Sequence, residues 1–286
     1  MAMNDDFPCI DFDEAFQKFA HAWMRENSAK YGGDMDKLEA RLQDVYLRWL
    51  NRPARWLDGQ KPSEYFLKYN DPNKLIEWLR EYDVQHVRVP DLLLERIPAL
   101  PNAEDALMRA LEEVSTPYTV RLMIVSMLRE IESAKPMALY IEWIAKRISP
   151  RDELADMAAE SLEAIGAIVM EPIFTALPRS NPAGQETFLD VLTMLPFDER
   201  TYELAVNMFE TRTERTALYA SYLGKLGDPR ALLYLEKAVN ERNLNYLDFI
   251  EVRNAIEELG GDAPSASDFA GDPFYEMMRA MEGDMG

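Results

Sequence analysis

The chain has 286 residues, 48% of them hydrophobic, which is enough to bury a sizeable core. Thirty-one basic residues against 51 acidic ones leave a net charge of −20, which disfavours nucleic-acid phosphates and anionic lipid as partners. A single cysteine, Cys9, excludes an intramolecular disulfide framework, and no run approaches the roughly 18 apolar residues of a membrane-spanning helix.

The opening MAMNDDFPCIDFDE has neither the basic n-region nor the apolar h-region of a signal peptide, so a soluble cytoplasmic protein in a reducing compartment is expected. Five acids and no base in these 14 residues suggest a partly mobile start. Three helical stretches are then predicted: Phe12–Tyr31, Met35–Leu50 beyond Gly32-Gly33, and a short aromatic turn at Ala54–Trp56. Residues 1–60 read as an N-terminal helical cap. Residues 41–61 carry a net charge of +3, with Arg48, Arg52 and Arg55 interleaved with Trp49 and Trp56. Arginine and tryptophan dominate binding hot spots, so these five residues are candidates for contact with a partner. The competing reading buries both tryptophans and pairs the arginines with nearby acids.

From residue 61 to 262 the sequence repeats. The segments Leu93–Pro98, Met127–Glu132, Ser161–Gly166, Val191–Pro196, Tyr222–Gly227 and Ala255–Gly260 start 34, 34, 30, 31 and 33 residues apart. Such a period means stacked helical units. The second and fifth positions of every segment are Leu or Ile, an i,i+3 pair on one helical face. Four residues before the first of each pair stand Pro90, Ile124, Ala158, Phe188, Tyr219 and Val252, which extend the stripe. A second amphipathic helix is predicted between echoes, at Asn73–Tyr82, Glu104–Val114, Pro136–Ile148, Arg200–Phe209 and Arg230–Val239. Asp71-Pro72 and Asp228-Pro229 read as helix starts, and Gly166, Gly227 and Gly260 as helix ends.

Ala158–Gly166 (AAESLEAIG) and Leu223–Leu232 (LGKLGDPRALL) resemble HEAT-like repeats of the phycocyanobilin-lyase type. Of the Val-Arg pair usual in those repeats, only Val120-Arg121 matches. The resemblance covers roughly residues 70–262. It implies an all-α, right-handed α-solenoid of about six helix pairs behind the N-terminal cap. It leaves function open, because the wider family holds scaffolds, bilin lyases, a hydroxylase and DNA glycosylases.

Residues 263–286 read as a linker, Ala263–Gly271, and a short amphipathic helix, Asp272–Met281. Phe274, Met278 and Met281 share one face and form a candidate docking helix, acting in cis, as a last cap, or in trans.

Catalytic motifs are missing from the sequence. His21 and His86 belong to no metal-ligand spacing, and there is no GxSxG elbow, phosphate loop or GxGxxG fingerprint. Acids around Cys9 raise a thiol's pKa and make it a poor nucleophile. Trp143 and Arg147, four apart on one predicted helix, are the nearest approach to a glycosylase-like site. No catalytic residue, cofactor or metal is therefore expected. The preferred function is a non-catalytic scaffold whose concave face binds a protein or peptide, with a basic segment favoured by the charge. Arg121, Arg215 and Arg253 are candidate contacts on the second helices. The alternatives are a small-molecule binder or enzyme of the bilin-lyase or glycosylase kind, and a structural oligomer joined through the C-terminal helix. A deep pocket between Trp49, Trp56 and the first repeat would favour the former. Partner identity and oligomeric state stay open.

Overall fold

The computed structural model describes residues 8–149, 151–262, 264 and 269–283, and among these it contains helices and turns and no strand. Two compact units divide the chain. The first holds residues up to Ala138 with Asp156–Ala164; the second holds Leu139–Ala155 and the chain from Ile165 onward.

In the first unit, α1 (Phe12–Asn27) starts at Asp11, whose carboxylate accepts the Glu14 N–H at 2.7 Å. It tightens into a 3-10 turn, Ser28–Tyr31, and stops where Gly32 and Gly33 take φ of 66° and 75°. The single helix expected over Met35–Leu50 is broken into α2 (Met35–Glu39) and α3 (Leu42–Leu50). The Arg41 N–H donates to the Leu38 carbonyl three residues back, a tighter turn that ends α2 and buries the Leu38 side chain. The predicted aromatic turn is a 3-10 turn at Arg55–Leu57. Next come α4 (Pro72–Gln85), α5 (Asp91–Arg96), α6 (Ala103–Glu112) and α7 (Tyr118–Glu130). α6 packs on α4 and α7, and α7 also touches α4 and α5.

The start of the chain is tied down from Pro8 onward. Trp78 of α4 donates its Nε1–H to the Pro8 carbonyl at 3.2 Å. Tyr82 donates to the Ile10 carbonyl at 3.0 Å and accepts from the Ile10 N–H at 3.1 Å. The mobility expected for the first 14 residues therefore does not extend to residues 8–14, because two buried aromatic side chains satisfy the backbone there. Residues 1–7 lie outside the described residues.

Helices α8 (Met137–Ala145) and α9 (Glu153–Ile165) are divided between the two units. α10 (Met170–Ala176) was not among the helices read from the sequence; it is short and flanked by 3-10 turns at Ala167–Val169 and Leu177–Arg179. The second unit continues through α11 (Pro182–Thr193), α12 (Glu199–Thr211), α13 (Thr216–Leu226), α14 (Leu232–Glu241), α15 (Tyr246–Glu258) and α16 (Pro273–Gly283). α13 packs on both α11 and α15, α12 on α11 and α13, and α14 on α15. Their shared core includes Leu189, Phe209, Tyr219, Leu223, Leu235 and Val252.

Each echo segment lies at the end of its helix, as its spacing predicts. The column four residues ahead is fully buried at Ile124, Ala158, Phe188, Tyr219 and Val252. Leu128, Leu162, Leu192, Leu223 and Ile256 are buried with it. An apolar residue every third or fourth position thus faces a neighbouring helix, and no single helix buries its own stripe.

A recurring bond pattern links α10, α12 and the start of α14 within the second unit. Arg200 donates to Asp198 and to Glu171, and its guanidinium lies 4.0 Å from the ring centroid of Phe174. Arg230, 30 residues later, does the same with Asp228, Glu199 and Tyr202, at 4.4 Å from the ring. Each arginine grips its own helix-start aspartate and the acid and ring of the preceding unit. These bonds hold both aspartates and both glutamates below the usual carboxylate range.

The last position of the six segments is glycine in three, proline at Pro98 and Pro196, and glutamate at Glu132. Glu132 occupies the position of Gly166, Gly227 and Gly260 and takes φ 54°, the left-handed conformation that disfavours a side chain. Its exposed side chain follows a helix C-terminus, where negative charge is unfavourable. Glu132→Gly removes a penalty of about 1–2 kcal/mol against an added unfolded-state entropy of about 0.5–1 kcal/mol. It is therefore expected to raise stability by roughly 0.5–1 kcal/mol in urea unfolding.

Candidate interaction surface

The N-terminal aromatic residues separate into a filled core and an exposed rim. Phe12 lies at ring-centroid distances of 6.5 Å from Trp49, 5.6 Å from Trp56, 5.6 Å from Tyr65 and 5.8 Å from Phe66. It packs edge-on beside both tryptophans, which stack directly on each other. Trp49 is buried, whereas Trp56 is 45% exposed and stacks on it at 6.4 Å. Of the two tryptophans, only Trp56 offers a face to a partner.

Of the arginines of this stretch, Arg41 pairs with Asp44 at 3.1 Å. Arg48, Arg52 and Arg55 are exposed and have no ion pair among the described residues; Arg52 stands 5.9 Å over the Phe19 ring. The three second-helix arginines differ. Arg121 donates to the Glu113 and Val114 carbonyls at 3.2 Å and fastens the chain just past α6. Arg215 lies 3.4 Å from Glu186, and Arg253 pairs with Glu257 at 3.0 Å along α15. Glu186 also accepts the hydroxyl of buried Tyr219 at 2.6 Å, and burial together with this bond pushes the Tyr219 pKa up to about 12. These three arginines serve intrachain contacts.

An open concavity lies on the first unit, between the C-terminal half of α1 and α2. It is a groove of about 830 Å³ with an apolar floor of Met24, Met35, Leu38 and Leu42. Lys18, His21 and Arg25 stand along it, against one acid, Glu39. Lys18 pairs with Glu14 at 2.6 Å, while His21 and Arg25 have no ion pair among the described residues. Residues 8–61 carry nine basic and nine acidic residues, so this part of the chain is neutral in a protein of net charge −20. His21 belongs to no metal-ligand spacing in the sequence. The spacing of residues 18, 21 and 25, one helical face beside Met24, is the signal that could have found the groove.

At the C-terminus, α16 packs on α15. Tyr246 lies 5.0 Å from Tyr275, 6.2 Å from Phe274 and 5.3 Å from Phe269. Asp272 caps the helix by accepting the Phe274 and Tyr275 N–H groups, and it also accepts the Tyr246 N–H at 3.1 Å. These three bonds lower its pKa. Phe274 and Met278 are half-buried, and Met281 is exposed. The predicted linker falls mostly outside the described residues.

Catalytic geometry does not emerge at the places considered. Arg147 lies beyond the end of α8, so it does not share a helix with Trp143. It is buried and donates to the Ser149 carbonyl and the Thr187 hydroxyl. The Cys9 thiol is pushed up to about 11, first by burial and only then by Glu81, so it is a weak nucleophile. Among the described residues no three His, Cys, Asp or Glu side chains gather to hold a metal ion, and no single helix is long and apolar enough to cross a membrane. Protein-family models, characterised proteins and solved structures yield no match to this chain.

Proposed function

We propose that the protein is a non-catalytic helical-repeat scaffold that binds protein or peptide segments. In this reading it is a right-handed α-solenoid of about six HEAT-like helix pairs with an N-terminal cap. The observation that carries it is the repeated grip of Arg200 and Arg230 on the acid and ring of the preceding unit. A bond pattern that recurs with the sequence period belongs to stacked units, and stacked units build long binding faces rather than closed pockets. The net charge of −20 favours a partner with a basic segment, chiefly through the rate of encounter. The small-molecule reading is less favoured because Trp49 and Trp56 stack directly on each other within an aromatic cluster that includes Phe12, Tyr65 and Phe66.

The test is affinity capture from native lysate at low and high salt, with native mass spectrometry of the bait. A stoichiometric protein partner lost at high salt supports the scaffold. A small molecule retained on the bait, with no protein partner, overturns it. Truncation at residue 263 makes a poor control bait, since it strips Phe269 and Tyr275 from Tyr246 and bares an aromatic surface.

A further inference from the structure

We propose that the groove between α1 and α2 is the docking site for helix α16 of a second copy of this chain. Helix α16 has more apolar surface than its own packing uses. Phe274, Tyr275 and Met278 are half-buried on one side. Met277 and Met281, one turn apart, are 45% and 55% exposed, with Pro273 and Ala280 exposed beside them. A helix that served only to cover α15 would need one apolar stripe.

The groove has the matching chemistry. Its floor carries Met24 and Met35, and methionine side chains adapt their shape to an apolar knob. Its rim carries Lys18, His21 and Arg25, and the guanidinium of Arg25 has no ion pair among the described residues. Residues 262–286 supply six acids and one base. Helix α16, which carries Glu276 and Glu282 against Arg279 and lies in this acidic stretch, exposes methionines that match a methionine-floored groove with a basic rim in both charge and polarity. The contact is heterologous, joining one surface to a different one, so it forms either reciprocal pairs or longer assemblies. It goes beyond the scaffold reading and does not depend on it: self-assembly and capture of another protein are read separately.

Sedimentation velocity of the full chain over a dilution series provides the test. Wild type is expected to associate reversibly, and less strongly at high salt. Arg25→Glu with Met35→Asp spoils the groove, and Met277→Asp with Met281→Asp spoils the helix. All four positions are exposed, so both double variants keep the fold, checked by far-UV circular dichroism and melting. Each alone is expected to be monomeric. Mixed, they regain association, because one still offers a helix and the other a groove. A wild type that stays monomeric up to its solubility limit overturns the proposal. So does a double variant that associates like wild type, or a mixture that remains monomeric.

Discussion

Replacing Trp78 with alanine is expected to lower the stability of the first unit by about 3–5 kcal/mol, the usual cost of emptying a fully buried aromatic site. Trp78 is completely buried on α4 and meets Tyr65, Phe66 and Tyr69 at ring-centroid distances of 6.0, 5.2 and 5.0 Å. Each such pair adds roughly 0.5–1.5 kcal/mol beyond the area it buries. The indole N–H also fastens the Pro8 carbonyl, so its loss leaves a backbone acceptor without that donor. Two consequences should appear together in urea unfolding followed by circular dichroism. The midpoint falls steeply, and amide exchange near Ile10 quickens even before global unfolding. Trp56→Ala serves as the control, since that ring is half-exposed and its removal opens no closed cavity. Equal losses for the two variants would show that the aromatic cluster is not centred on Trp78.

The contrast between these two tryptophans marks how far the sequence was legible. Periodicity located α4, α6, α7 and α11–α15 because a stripe that must be buried leaves a repeating trace. The column of Ile124, Ala158, Phe188, Tyr219 and Val252 is that trace, and all five are fully buried. Nothing comparable distinguished Trp49 from Trp56, seven residues apart in an arginine-rich stretch: Trp49 is covered because Phe16, distant in sequence, and Tyr46 pack on it, whereas Trp56, beside Phe12 and Trp49, stays half-exposed. Helix α10 escaped because its short run, Met170–Ala176, spans only two turns and contains Pro172. The groove along α1 and α2 was hidden for a different reason. It exists only because the stretch from Met35 to Leu50 breaks at Ala40-Arg41, which no residue type announces. Arg48, Arg52 and Arg55, read from the sequence as part of a basic stretch, have no acid partner among the described residues. The three arginines chosen by repeat position alone are bonded within the chain.

Gly184 carries the second large effect. It sits in the first turn of α11. A Cβ built there falls inside van der Waals contact of the Ile144 carbonyl oxygen and 3.3 Å from the Ala145 Cα. The turn leaving α8 lies directly on α11, and the Asn181 N–H donates to the Ala145 carbonyl at 3.3 Å to hold it there. Alanine would improve the intrinsic helix propensity by about 1 kcal/mol, so propensity alone predicts stabilisation. The obstructing atoms are backbone, however, and cannot swing aside; overpacking of this kind costs about 1–3 kcal/mol and occasionally more. Gly184→Ala is therefore expected to destabilise the second unit. Gly224→Ala provides the discriminating comparison. Its nearest obstruction is the Glu258 carboxylate, the free end of a flexible side chain, with Ala255 at 3.3 Å behind it. The carboxylate can move, so the penalty at Gly224 should be the smaller of the two. Urea unfolding of both variants decides the matter. A loss at Gly184 that exceeds the loss at Gly224 means that α8 and α11 are held by backbone contact; the reverse order means that the α8 turn can shift by the width of a methyl group without loss of packing.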